Sequence, residues 1–339
     1  MQTLLLLSAL VSMSGHIELV EKAARPKLTA VEVRALENRP SEQLSAQVQD
    51  GYVSMPAIAD CFDEYSYRYT GGSLDDHLIK FRLRTPETLV PGRQYPLLVW
   101  FHGRGESGDD NSRQLAHMQT AIADLAGPDA QEFFLLATQC PGDNPDWTVH
   151  QSLADGKGDS PMTVLREIME AVITGFPVDE DCISVFGLSS GGEAAWHFVV
   201  ESPERFAALA TASAVPPRGA LLTEMNVWAF CTRQDQRVPF EAVREVIDTI
   251  NTNGGLAFLT RVDVDGHDSW TVALRDQRVL DWLASQKRGS LLNAPPGRNE
   301  RKRLLLTTFL LFGLPILCFI TLTFVISRSR TCSGPPKNC

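Results

Sequence analysis

Val185-Phe186-Gly187-Leu188-Ser189-Ser190-Gly191-Gly192 leaves an apolar stretch at 183–188 and enters a helix-forming one at 192–201. A serine flanked by glycines two residues to either side, between a strand and a helix, is the pattern of a nucleophile elbow. The turn is so tight that a Cβ at either glycine would clash with the neighbouring strand or helix. The serine is then held in strained backbone at a helix amino end, with its Oγ exposed. Ser190, next in sequence, is placed to offer its backbone N–H to a developing oxyanion. Ser190 itself lacks the symmetric glycines, so Ser189 is the candidate nucleophile.

Working outward, short apolar strands alternate with helical patterns. Strands are expected at 78–84, 96–101, 133–138, 183–188, 206–213, 227–231 and 256–262, and helices at 112–126, 162–174, 192–201, 239–253 and 269–286. Fully apolar strands separated by helices predict an α/β fold: a mostly parallel central sheet covered by helices on both faces. In such sheets chemistry gathers in loops at the carboxyl ends of the strands.

Three further motifs fall in such loops. The strand 96–101 runs into His102-Gly103-Arg104-Gly105-Glu106, where glycines let backbone N–H groups face a pocket. The amide of Arg104 is the candidate second oxyanion donor. His102 reads as a brace for this loop rather than a base, and Glu106, Asp109 and Asp110 as loop-bracing or solvated charges. After the strand at 227–231 comes Gln234-Asp235-Gln236-Arg237-Val238-Pro239, and after the strand at 256–262 comes Asp265-Gly266-His267-Asp268-Ser269-Trp270. A serine nucleophile needs a base within hydrogen-bond reach, and the imidazole needs a carboxylate on its other nitrogen. Ser189, Asp235 and His267 supply them in the chain order expected of this arrangement. Asp263, Asp265 and Asp268 are the alternative acids, too close in sequence to His267 to reach behind it. His102, Gly103, Trp147 and Trp270 are candidate pocket residues.

Composition excludes several classes. With 44% hydrophobic and 21% charged residues, the 339-residue chain has ordinary globular character. Residues 289–339 carry seven Lys/Arg and one acid, so residues 1–288 carry 24 basic and 40 acidic groups. Such an acidic surface repels phosphate backbones, and nucleic acid is not an expected partner. Seven cysteines, without a Cys-x-x-Cys pair, do not form a zinc-site pattern. Cys182 and Cys231 read as buried thiols, and Cys61 with Cys140 as a pair whose spacing leaves bonding open. No metal or organic cofactor is implied.

The ends of the chain differ from its middle. Residues 304–326 form 23 uncharged positions, about 34 Å as a helix and enough to cross a bilayer core. Pro315 would only kink such a helix. The expected order is therefore an N-terminal segment 1–64, a catalytic domain 65–288, a basic linker 289–303, a transmembrane helix 304–326 and a tail 327–339. Residues 4–13 have the length of a signal-peptide apolar region within 1–15, but no Lys or Arg precedes them. Six basic residues lie just before the span (Lys287, Arg288, Arg298, Arg301, Lys302, Arg303) and three after it (Arg328, Arg330, Lys337). That balance favours a cytoplasmic catalytic domain over an extracytoplasmic one. Both topologies stay open.

The segments PLLVWFHGRGESGDDN (96–111), FFLLATQCPGDNPDW (133–147), SVFGLSSGGEAAW (184–196), QDQRVP (234–239) and GHDSW (266–270) together resemble the predicted-peptidase and esterase group of bacterial α/β-hydrolases. That group is related to polyhydroxybutyrate depolymerases, phospholipase/carboxylesterases and the prolyl-oligopeptidase catalytic domain. The resemblance covers about residues 65–287. It implies the α/β-hydrolase fold, a Ser189-His267-Asp235 triad, an oxyanion hole from the amides of Arg104 and Ser190, and hydrolysis of a small-molecule or polymer ester. Arg104 stands where the group usually has a small residue, and Ser190 where Met or Gln is common. A serine peptidase of prolyl-oligopeptidase type is the alternative, and a membrane-tethered binding protein on a hydrolase scaffold is a second.

Overall fold

The computed structural model describes residues 17–22, 58–70, 77–128, 130–141, 147, 160–291 and 295. The chain divides into two compact units, 1–294 and 295–339, and the described residues other than Pro295 belong to the first. The candidate signal segment 1–15, the expected membrane span and the tail lie outside the described residues. Among the described residues no helix is long and apolar enough to cross a membrane.

Nine strands form one sheet: β1 (Ile17–Glu21), β2 (Asp63–Tyr69), β3 (His77–Arg84), β4 (Tyr95–Phe101), β5 (Phe134–Ala137), β6 (Val178–Leu188), β7 (Ala208–Ala212), β8 (Asn226–Thr232) and β9 (Leu256–Val262). Their spatial order is β1-β2-β3-β5-β4-β6-β7-β8-β9. From β5 to β9 every pairing is parallel, and from β1 to β5 every pairing is antiparallel. Among the described residues the α-helices are α1 (Ile122–Ala126), α2 (Pro161–Gly175), α3 (Ser190–Val200), α4 (Phe240–Thr252) and α5 (Val279–Ala284).

The apolar runs are continuous because helices cover both faces, and alternate residues enter opposite layers. Leu97, Val99 and Phe101 of β4 pack with side chains of α2, α3 and α4, whereas Leu98 and Trp100 pack with those of the 113–121 segment and α5. Cys61 lies in the second layer and Cys140 in the first, so the sheet stands between them. Cys231 is buried as expected, but Cys182 is only half-buried beside Asp179.

Three elements depart from the sequence reading. The sheet begins earlier than residue 65: Asp63 and Glu64 already belong to β2, and β1 pairs with it from across a long stretch of chain. In β2, Tyr65, Tyr67 and Tyr69 face the core at strand spacing. The helix expected at 112–126 is a 3-10 helix over Arg113–Ala121 followed by α1. Its buried residues are Gln114, His117 and Thr120 in one row and Leu115, Met118 and Ala121 in another. Burial at every third residue is the period of a 3-10 helix, not of an α-helix.

The helix expected at 269–286 is broken. A π-helical turn covers Val272–Asp276, and Arg278 adopts a left-handed conformation before α5 (φ 49°, ψ 50°). That conformation is costly for a residue with a Cβ. Two carboxylates offset the cost: the Arg278 guanidinium lies 2.6 Å from Asp124 and 2.5 Å from Asp281.

Candidate active site

Ser189 directly follows β6 at φ 51° and ψ −128°, outside the regions ordinary residues occupy. Its backbone N–H donates to Ala212 O at the end of β7, 2.9 Å away. The flanking glycines are fixed by close approach. A Cβ on Gly187 would run into Gly191 O, one on Gly191 into His102 O, and one on Gly192 would come within 2.5 Å of Ala214 Cβ. Helix α3 therefore starts against both β4 and β7, which is why the turn tolerates no side chain there.

The predicted acid and base converge on this serine from the next two loops. Ser189 Oγ lies 2.8 Å from His267 Nε2, and His267 Nδ1 lies 2.6 Å from Asp235 Oδ2. The other Asp235 oxygen accepts the N–H groups of Arg237 at 2.8 Å and Val238 at 3.1 Å. Both carboxylate oxygens are thus committed, with the carboxylate buried and the imidazole 19% exposed. A carboxylate only accepts, so Nδ1 carries the proton and Nε2 is left to accept from the Ser189 hydroxyl. The other nearby acids do different work. Asp268 accepts from Thr271 N and Oγ1, and Asp263 is exposed, 3.7 Å from Arg233.

The loop after β4 is held differently. His102 is fully buried. Its Nδ1–H donates to Gly103 O at 2.6 Å, and its Nε2 accepts from Cys140 N at 2.8 Å. Burial drives its pKa down to about 4, so the ring is neutral with one donor and one acceptor, each satisfied by backbone. Gly103 O also accepts from Glu106 N at 3.3 Å. In a planar trans peptide the C=O and the following N–H point opposite ways, so anchoring Gly103 O aims the Arg104 N–H away from His102. Arg104 and Ser190 are each the first residue of a helical segment, where an N–H has no intrahelical acceptor. The built Cβ position of Gly103 lies 3.5 Å from Ser189 Cβ, which puts the two loops side by side.

Glu106 braces this loop from below. Burial alone would raise its pKa, but a hydrogen bond and charge from His117, with the Gly103 amide, hold it below the usual carboxylate value. His117 Nε2 sits 3.1 Å from Glu106 Oε1, and Gln139 Nε2 donates to Glu106 O at 3.0 Å. Asp110 accepts from Ser112 N and Arg113 N.

Of the four candidate pocket residues, two are removed from any cleft. His102 is enclosed, and Trp147 is buried against Phe101, its indole N–H donating to His102 O at 3.2 Å. Gly103 adjoins Ser189. Trp270 meets His267 edge-on at 5.4 Å and His117 at 5.2 Å. It also lines an open cleft of about 610 Å³ with Gln234, Gln236, Arg237, Asp265 and Asp268.

Sequence reading missed the buried hydroxyls around His267: Ser213, Thr232 and Ser269. A serine or threonine at a strand end carries no signal that separates it from an ordinary turn residue.

The fold is shared with known structures. A thermostable esterase matches over 68% of this chain and 64% of its own, with 28% identity and a TM-score of 0.59. The chain belongs to the α/β-hydrolase superfamily. An acylaminoacyl peptidase of Pyrococcus horikoshii shares the fold at 11% identity and TM-score 0.50, over 68% of this chain and 42% of its own. The chain therefore spans less than two thirds of the esterase and less than half of the peptidase. No family model and no curated protein matches it.

Proposed function

We propose that this α/β-hydrolase is a serine esterase that cleaves carboxylic esters through an acyl-enzyme. The observation that carries the reading is the continuous chain Ser189 Oγ, His267 Nε2, His267 Nδ1, Asp235 Oδ2, with links of 2.8 and 2.6 Å. His267 removes the Ser189 proton as Oγ attacks the carbonyl carbon, and then returns it to the leaving alcohol. The amides of Arg104 and Ser190 bind the oxyanion. Water, activated by the same imidazole, releases the acid and restores Ser189. Asp235 holds the imidazole in the tautomer that accepts from Ser189 and stabilises the imidazolium that forms.

The 28% identity to a thermostable esterase supports an ester over a peptide substrate. The test is hydrolysis of p-nitrophenyl esters of rising chain length beside aminoacyl anilides, with fluorophosphonate labelling of Ser189. Ester turnover and labelling that both vanish in Ser189→Ala support the reading. Labelling that persists in Ser189→Ala, or turnover of anilides alone, overturns it.

We further propose that residues 304–326 tether the enzyme to a membrane. The uncharged run of 23 residues, bracketed by Arg301-Lys302-Arg303 and Arg328 to Arg330, supports this. The excess of basic residues before it supports a cytoplasmic catalytic domain. Protease protection in right-side-out cells tests it: a catalytic domain digested from outside overturns that orientation.

A further inference from the structure

The loop that carries His267 is held by three buried hydroxyls that take no part in the proposed chemistry. Thr232, the last residue of β8, is fully buried, and its Oγ1–H donates to Gly266 O, the carbonyl directly before His267. Ser269, two residues after His267, is also fully buried, and its Oγ–H donates to Phe230 O at 3.1 Å. Ser213 Oγ lies 2.8 Å from Ser269 Oγ. A serine hydroxyl has one proton. Since Ser269 gives its proton to Phe230 O, the hydrogen in the serine pair comes from Ser213. The order is Ser213 to Ser269 to the β8 backbone.

Ser213 is itself unusual. It follows β7 with φ 48°, a conformation that disfavours side chains. Its N–H donates to the same carbonyl, Phe230 O, at 2.8 Å. The residue before it, Ala212, accepts the Ser189 N–H at 2.9 Å. The strand end that seats the nucleophile is therefore joined, through one residue in strained backbone, to the loop that presents the base. Gly266 has φ 82°, so no side chain of its own anchors the peptide that Thr232 grips.

We infer that Thr232, Ser269 and Ser213 are positioning residues. They clamp the His267 loop on both sides of the imidazole and lock it to the strand end that seats Ser189. The inference rests on the proposed Ser189-His267-Asp235 triad. Its physical basis is that a base must be held to within a fraction of an ångström of its nucleophile, and small displacements are costly to rate.

The experiment compares Thr232→Val, Thr232→Ser and Ser269→Ala with the parent enzyme. kcat and KM are measured on a p-nitrophenyl ester, together with the rate of fluorophosphonate labelling and the melting temperature. Thr232→Val keeps the side-chain shape and loses the donor, whereas Thr232→Ser keeps the donor. Thr232→Val and Ser269→Ala are expected to lower kcat and labelling rate about ten- to hundred-fold, with KM within about twofold of the parent. Thr232→Ser is expected to stay within about threefold of the parent. The inference is overturned if Thr232→Val and Ser269→Ala keep parental kcat, whatever happens to melting, or if Thr232→Ser is as impaired as Thr232→Val. Failure of the triad reading looks different: the parent enzyme itself would neither hydrolyse the ester nor take the label.

Discussion

Two histidines, one in the loop after β4 and one in the loop after β9, occupy opposite environments within one candidate active site. His102 is sealed in the core, with both ring nitrogens spent on backbone groups. His267 is partly exposed, with one nitrogen on a carboxylate and the other on a hydroxyl. The first is kept neutral by burial and serves as a rigid spacer that orients the Gly103–Arg104 peptide. The second has both ring nitrogens on side chains, Asp235 and Ser189. Position after a strand does not distinguish them, since both sit in carboxyl-end loops. What separates them is whether the ring's partners are backbone amides or side chains that exchange protons.

Breaking the His267 side should have the larger effect. Ser189→Ala, and Asp235→Asn with its disturbed imidazole tautomer, should each lower ester turnover by about 10⁴-fold, with little change in melting temperature. If Asp235→Asn retains turnover within tenfold, the acid has been misassigned.

On the His102 side, the proposed oxyanion donor is the backbone N–H of Arg104. Arg104→Pro removes that N–H at a helix-starting position where proline's ring is tolerated, and Gly103 is already extended (ψ 179°), as a residue before proline must be. Turnover should fall by about 10²- to 10³-fold, the usual cost of losing one oxyanion donor. Arg104→Ala should leave it within about threefold. Equal losses in the two variants would mean that the guanidinium, not the amide, matters.

His102 also sets a pH signature. Its pKa falls from 6.5 to about 4 on folding, so between those values the unfolded chain binds a proton that the folded one refuses. Stability attributable to this ring should be complete above pH 6.5 and decline as pH drops to about 4. The lost contribution is about 3 kcal/mol. His102→Ala should be less stable at neutral pH, since it removes the ring's hydrogen bonds to Gly103 O and Cys140 N, and its stability should fall less steeply over that window. Parallel denaturation curves for the two proteins at pH 7 and pH 4.5 test this. An unchanged slope would show that the ring is not the titrating group.

The smallest expected effect concerns Trp270, which touches His267 and His117 only by ring contacts. Trp270→Phe should keep an aromatic edge on His267 and change kcat by less than about fivefold. A larger loss would give the indole a place in substrate binding.

Much of this was legible in the sequence. The apolar runs of β4 to β9 and the glycines around Ser189 are strong local signals, because a doubly covered strand and a turn without room for a Cβ each leave few residue choices. The order Ser189, Asp235, His267 is readable from the loops these residues occupy after successive strands, with Asp263, Asp265 and Asp268 as alternative acids. Less legible were β1 and β2, whose pairing joins chain segments far apart, and the broken helix after Ser269, whose left-handed Arg278 is stabilised by Asp124 from a distant helix.

The sequence by itself therefore determined the sheet's parallel half, the elbow and two of the three convergent side chains, Ser189 and His267. Each depends on local pattern, in which a residue's neighbours along the chain dictate its role. Only the tertiary structure decided that His102 and Trp147 are enclosed rather than in a pocket. It also decided that Asp235 rather than a closer acid meets His267, and that Ser213, Thr232 and Ser269 hold the base in place. Burial and hydrogen-bond partnership are set by residues distant in sequence, and no local pattern encodes them.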